Sequence, residues 1–438
     1  MADTTHLADT SALGAEARDL RLLGRRLARH APRLSSQITT LQATFDAALA
    51  TAEPYMAERA AEAFTRSLRS LWLEAAGREA STVFRSPTAN ETQRIGKRHD
   101  AFGYERDLQP ESLEKRCEAF FPAPPPGWRQ DHILFSSGQA AMTTALLVLG
   151  SHIVSDKPAL RLTHRGVYFE TKSLIRSLPF VTEATFAQTA DVIIDEPVCC
   201  DGQFHQLDTT KLLSASPSAV IFDTTLLGRM DGVDEYLSEL QPGRKQIVMR
   251  VASALKLLQG GLELANCGVL SVYTSHPSLS CLGDKLRTMR TLTGSGLHHV
   301  DAIALEAPWV FDVDHTDSYT SAVFDHNARL AHAIEPVNQR FEPVTHPSFG
   351  GSNAPFCAFR LKAASPAAYD ALDQEIAAEA QRRKLNLARG GSFGFRGHRY
   401  EIVKPETGEP PFLRIALGRR GGWSCEGIIA MMARLAAR

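Results

Sequence analysis

Two residues of this 438-residue chain have side chains suited to holding an organic cofactor. Asp223 closes the apolar run 219–222, and Lys256 follows Ser253 by three residues, just past another such run. An aspartate at one strand end and a lysine near another can supply a counter-charge for a ring nitrogen and an amine for a Schiff base. A lysine alone carries little weight, because most lysines are simply solvated. Ser137-Gly138-Gln139 lies in a small-residue turn (136–140) between the run 132–135 and a helical stretch, 141–149. Backbone N–H groups at such a helix start suit a phosphate, although many strand-to-helix turns are small for steric reasons. Competing patterns are incomplete. Ser253-Ala254-Leu255-Lys256 matches S-x-x-K, but no K-T-G or S-D-N accompanies it. Gly390-Gly391-Ser392-Phe393-Gly394 matches G-x-S-x-G, yet the Arg- and Gly-rich 395–400 that follows is no helix, so a nucleophile elbow is missing. Neither G-x-G-x-x-G nor G-x-x-x-x-G-K-[ST] occurs, which removes the sequence basis for a nicotinamide or ATP site.

The elements that must position these groups follow from the texture of the chain. Short β-branched or apolar runs at 132–135, 159–163, 191–195, 219–223, 246–251 and 268–273 alternate with helical stretches. This predicts a mostly parallel sheet wrapped by helices, with the chemistry in the turns beyond the carboxyl ends of the strands. Beyond about residue 310 come an Ala-rich helical segment, 364–383, a Gly/Arg-rich loop, 389–399, and a strand-like 412–417, together a smaller α+β domain. Residues 1–95 hold twenty Ala, three Gly, three Pro and no Lys, a composition that favours helix. Leu20, Leu22, Leu23, Leu27 and Leu34 recur near helical spacing, and Pro54 and Gly77 suit a helix start and a C-cap, so about three helices are expected. Their simplest role is a packing or oligomerisation appendage. The predicted division is a helical extension at 1–95, a large domain at 96–310 and a small domain at 311–438.

Composition narrows the class. The chain is 44% hydrophobic and 22% charged, and 48 Lys+Arg against 49 Asp+Glu leave a formal charge of −1. No global field draws it to nucleic acid or to an anionic membrane. Seven cysteines without a C-x-x-C suit neither a disulfide framework nor a zinc site, and no metal is expected. Asp3, Asp9, Glu16 and Asp19 interrupt the first thirty residues, unlike a secretory signal, and no run reaches the roughly 18–20 apolar residues of a membrane span. A soluble, cytoplasmic protein is expected.

Taken in order, the scattered signals form a series. Tyr104-Glu105-Arg106 with Pro110 and Leu113-Glu114, Ser137-Gly138, Tyr168 with Thr171, Asp195-Glu196-Pro197, Asp223-Thr224-Thr225, Ser253-x-x-Lys256 and Leu413-Arg414-x-x-x-Gly418 succeed one another over roughly residues 98–425. The series resembles the cystathionine γ-synthase/methionine γ-lyase (Cys/Met metabolism) family of pyridoxal-phosphate enzymes, fold type I. The resemblance implies that Lys256 holds pyridoxal 5′-phosphate as a Schiff base and, once released, acts as the base. It implies that Asp223 pairs with the pyridine nitrogen and that Tyr168 stacks on the ring and assists departure of the leaving group. Ser137, Gly138, Gln139, Ser253 and Thr225 would serve the cofactor, while Tyr104 and Arg106 would reach the phosphate of a neighbouring subunit in a homodimer or homotetramer. Arg414 would pair with the substrate α-carboxylate, with Ser392 close by.

The series also departs from the family's pattern. Cys199 stands where an asparagine is usual near the cofactor's phenolic oxygen and the substrate carboxylate, and a thiol is the weaker donor. Leu255 replaces a hydroxyl residue, Phe169-Glu170 replaces a pair of glycines, and residues 1–95 lie outside the match. The chain therefore reads as a divergent member, a lyase or transferase performing elimination or replacement at Cβ or Cγ of an L-amino acid. Alternatives are a specialised enzyme that desaturates a γ-halogenated or vinyl amino acid, for instance to an alkyne, and a non-catalytic protein that binds the cofactor.

Overall fold

The computed structural model describes residues 5–86, 92–96, 100–153, 158–185, 189–206, 208–229, 231–405 and 410–438. Its first elements are three helices, α1 (Thr5–His30), α2 (Ser35–Thr51) and α3 (Pro54–Ala80). Pro54 occupies the first turn of α3, where its missing N–H costs nothing. The expected stop at Gly77 does not occur: α3 runs on to Ala80, because a helix tolerates one glycine at about 1 kcal/mol. Leu20, Leu23 and Leu27 are fully buried while Leu22, off that stripe, is 37% exposed. They share one apolar core with Leu68 and Trp72 of α3 and with Leu257, Leu258, Ile303 and Trp309 of the following domain.

A short hairpin, β1 (Gln93–Ile95) and β2 (Asp100–Phe102), and helix α4 (Glu111–Phe120) lead into the main sheet. Its strands are β3 (Arg129–Phe135), β4 (Leu160–Arg165), β5 (Val181–Glu183), β6 (Val192–Asp195), then β9 (Ala219–Asp223), β10 (Ile247–Ser253) and β11 (Gly268–Thr274). Between β6 and β9 lies a separate hairpin, β7 (Val198–Cys200) and β8 (Phe204–Gln206). The seven-stranded order is β3-β11-β10-β9-β6-β4-β5. The pairs from β10 to β5 are parallel, and only β11 runs against its neighbours. Both faces are covered, which is why the strands read as unbroken apolar runs. Ile221 and Met249 face α5 (Gly138–Ile153), and Val220, Phe222 and Val248 face a second layer around Tyr236 and Leu237.

After the helix Val313–Ile334 the chain forms a four-stranded sheet, β12 (Cys357–Phe359), β13 (Leu387–Arg389), β14 (His398–Val403) and β15 (Phe412–Ala416), in the order β12-β15-β14-β13. The helices Pro366–Arg382 and Trp423–Ala436 pack on it through Leu372, Ile376, Ile428 and Met432. This is the α/β architecture with a smaller C-terminal α+β part that the strand pattern predicts. No described helix is long and apolar enough to cross a membrane.

Candidate active site

Because β3, β4, β6, β9 and β10 run the same way, their carboxyl ends gather the turns that carry the singled-out residues at one edge of the sheet. β3 ends in the Ser137 turn, whose hydroxyl accepts the Ala140 N–H at 3.0 Å and caps α5. The turn is pressed against its neighbours. A Cβ on Gly138 would sit 3.3 Å from the Ser253 backbone nitrogen, and one on Gly268 would overlap the Ser137 carbonyl. Gln139 donates to Thr171 Oγ1 at 3.0 Å and so ties this turn to α6 (Phe169–Ser177). The N–H groups at the start of α5 are thereby aimed past the strand ends, an arrangement that fits a phosphate.

Asp223 ends β9 beside Val251 of β10. One carboxylate oxygen accepts the Thr225 N–H at 3.1 Å, and Thr225 Oγ1 in turn accepts the Ser253 N–H at 3.0 Å. Burial raises the Asp223 pKa, and among the described residues no cation pairs with it. A carboxylate held there without a counter-ion is the complement of a protonated ring nitrogen. Lys256 follows on the same edge. Its Nζ donates to Ser392 Oγ at 2.6 Å and lies 5.7 Å from the Phe393 ring centroid. Burial, reinforced by the charge of Arg414, lowers its pKa and favours the neutral amine.

Arg414 on β15 faces Glu401 on β14, the two being directly paired in the sheet and joined by a salt bridge. The guanidinium lies 5.4 Å from the Phe356 ring centroid, and its Nε is buried without a hydrogen-bond partner among the described residues. Tyr168, 44% exposed at the start of α6, donates its backbone N–H to Glu196 Oε1 at 3.0 Å. Burial and then Glu170 push its phenol up to about 12. Since Arg414 acts on both Lys256 and Tyr168, these three predicted groups share one site.

Other predicted residues stand apart. Tyr104 and Arg106 are exposed and form a cation–π pair at 5.4 Å, and no hydrogen bond joins either to the Lys256 cluster among the described residues. Cys199 points to Gly166, where a Cβ would come within 2.7 Å of its sulfur, and to the His205 carbonyl at 3.7 Å. Burial pushes its thiol up to about 11. Strand alternation sends its neighbour Cys200 the other way, onto Phe356 and Phe393. Glu401 and Phe393 were not singled out from sequence. Nothing along the chain pairs 401 with 414; only the β14/β15 register does. Glu196 is buried, and its carboxyl is raised well above the usual range by burial and then by Asp223. Among the described residues no three His, Cys, Asp or Glu are grouped to hold a metal ion.

Solved structures with this architecture are numerous. Cystathionine γ-lyase from yeast superposes with a TM-score of 0.57 at 14% identity, over 84% of this chain and 98% of that one. A methionine γ-lyase from Micromonospora echinospora gives 0.55 at 16% identity over 84% and 98%. Cystathionine γ-synthase from Xanthomonas oryzae pv. oryzae, solved with aminoacrylate and cysteine, gives 0.55 at 13% over 84% and 97%. The chain thus has the fold type I architecture that its motif series resembles. No family model and no curated protein sequence matches it.

Proposed function

We propose that this chain is a pyridoxal-phosphate enzyme that carries out elimination or replacement at Cβ or Cγ of an L-amino acid bearing a leaving group. The observation that carries the reading is the meeting at one sheet edge of three things: the Lys256 amine, half-buried on Ser392, an Asp223 carboxylate with no cation paired to it among the described residues, and the turn at the start of α5. Lys256 would hold the cofactor, Asp223 its ring nitrogen and Ser137, Gly138, Gln139, Thr225 and Ser253 the phosphate side. When bound, the cofactor supplies an electron sink for the bonds broken at Cα and beyond. The remaining work belongs to the chain. Lys256 moves protons between carbons, and burial, which lowers its pKa, favours the basic form that this needs. Tyr168 keeps its proton, its phenol being pushed up to about 12, and so can donate it to a departing group. Arg414 binds the α-carboxylate, with Ser392 beside Lys256, while Cys199, turned to Gly166 and the His205 carbonyl, takes no part in this reading. Tyr104 and Arg106, exposed and paired with each other, would serve a second copy in a cytoplasmic homodimer or homotetramer.

The test is reconstitution with pyridoxal phosphate followed by borohydride reduction and peptide mapping. The expected result is a yellow protein with the label on the Lys256 peptide. A protein that stays colourless overturns the proposal. With a panel of cysteine, homoserine-derived and γ-halogenated amino acids, ammonia with a keto acid marks elimination, and a retained α-amine marks replacement or desaturation.

A further inference from the structure

The extension reaches the active site from behind through a buried ion cluster. Glu16 and Asp19 of α1 are 1% and 9% exposed, and they meet Arg396 and Arg419, 2% and 8% exposed. Arg396 donates to Glu16 at 2.8 Å and to Asp19 at 2.5 Å, and Arg419 donates to the other Glu16 oxygen at 2.6 Å. Buried Arg420 adds a third guanidinium charge that acts on Glu16, and the His315 ring lies 3.6 Å from Asp19. Burial alone would raise the Glu16 pKa, yet Arg396, Arg419 and Arg420 bring it below the usual range.

Arg396 points its third guanidinium nitrogen toward the lysine loop. Its Nε gives a 3.0 Å hydrogen bond to the Gly260 carbonyl, four residues beyond Lys256. Its guanidinium lies 5.5 Å from the Tyr319 ring, and Tyr319 donates its hydroxyl to the Gly394 carbonyl at 3.0 Å. Gly394 sits so close to Lys256 that a Cβ there would stand 3.0 Å from the lysine's own carbonyl carbon. Two residues earlier comes Ser392, the hydrogen-bond partner of Lys256. One side chain, anchored by α1, therefore braces both strips of backbone that flank the amine.

We infer that Glu16 and Asp19 are positioning residues for Lys256 and Ser392, acting through Arg396, so that the N-terminal extension is an in-chain brace of the active-site lysine. The cofactor role of Lys256 rests on the function proposed above; the bracing itself does not. A buried Arg–carboxylate fork fixes orientation as well as charge, and an asparagine or a lysine in its place preserves less of that geometry.

The groups facing Lys256 are Ser392, Arg414 of β15, Arg399 of β14, Glu263 and Glu170 of α6. Loosening the brace lets water reach the amine and Arg414 drift from it, and both changes raise its pKa. The experiment is the pH dependence of Lys256 labelling by trinitrobenzenesulfonate in the full chain, read by peptide mass. The variants are Asp19→Asn, Arg396→Lys, which keeps the charge balance should the first unfold, and Glu58→Gln. Glu58 is a buried carboxylate of α3 that binds Ser424 and Asn386 instead. Asp19→Asn and Arg396→Lys are expected to move the labelling midpoint up by about half a unit or more, and Glu58→Gln to leave it in place. Unchanged midpoints in folded Asp19→Asn and Arg396→Lys overturn the inference, as does an equal shift in Glu58→Gln. Pyridoxal phosphate is added in parallel: shifted midpoints with no reducible adduct in any chain leave the brace standing and remove the cofactor reading.

Discussion

Arg414 is asked to receive a carboxylate while already paired with one. Glu401 shares its guanidinium, yet the buried Nε remains without a partner, so the fork still has a donor to offer. Arg414→Ala is expected to raise the apparent KM for amino-acid substrates by about 100-fold with a smaller change in kcat, the mark of lost carboxylate binding. An unchanged KM would place the carboxylate elsewhere. Glu401→Gln keeps an oxygen for the guanidinium but removes a charge that repels the substrate. Its KM should fall several-fold, and a rise would mean that Glu401 helps to hold the substrate. Ser392 poses a different conflict. With φ at +72° it occupies the left-handed region that favours glycine, at a cost of about 1 kcal/mol. Ser392→Gly should therefore gain about 1 kcal/mol in urea unfolding while losing kcat, whereas Ser392→Ala loses kcat without the gain. Equal stability of the two variants would mean that no strain is held there. Asp223, Lys256 and Arg414 were legible as single residues because their motifs are local. Glu401 was not, because its meeting with Arg414 depends on strand register.

At the scale of elements, the site is an edge where five parallel strands stop together, and its tightest point is the contact between the Ser137 turn and the start of β11. Gly268 has no room for a side chain: a Cβ would strike the Ser137 carbonyl, which is backbone and cannot swing aside. Gly268→Ala should cost about 2 kcal/mol and displace the turn proposed to face the phosphate. Measured binding should then lose much of the preference for pyridoxal phosphate over pyridoxal, and a retained preference would put the phosphate elsewhere. The long strands of this edge were readable because burial on both faces leaves continuous apolar runs, as in 219–223, whose bounds the structure keeps. The three-residue strands β1, β2, β5, β7, β8, β12 and β13 carry too few residues to display a period, and they were missed, while β14 begins inside the stretch 389–399 expected as a loop. The helical character of the first 80 residues was equally plain, but not their use. Glu16 and Arg396 are 380 positions apart, a distance over which sequence pattern says nothing.

Across the whole molecule the near-zero net charge hides an interior that is sensitive to acid. Four of the buried histidines lie in different parts of the fold: His132 on β3, His315 behind the lysine loop, His346 ahead of β12 and His398 on β14. Burial lowers each, to about 3 for His132, about 4 for His315 and His346, and well below normal for His398. The sign follows from proton counting. Below about pH 6.5 the unfolded chain binds these protons and the folded chain does not, so stability falls as pH drops from there toward about 4. Each histidine contributes on the order of 2 kcal/mol to the loss between pH 7 and pH 5. Glu16 and Asp19 act in a lower window: their pKa values are depressed on folding, so what they add is kept above the ordinary carboxylate range and lost only as pH falls below it. Urea unfolding at pH 7 and pH 5 separates the two sets, since of the two only the histidines titrate between those values; Asp195, which burial raises to about 6, gains a proton in the same window and offsets part of the fall. The midpoint should fall markedly at pH 5, and His346→Gln should remove its share of the fall. Equal midpoints at the two pH values would mean that these histidines take up their protons within the folded chain, and that the interior is more open to water than their burial implies.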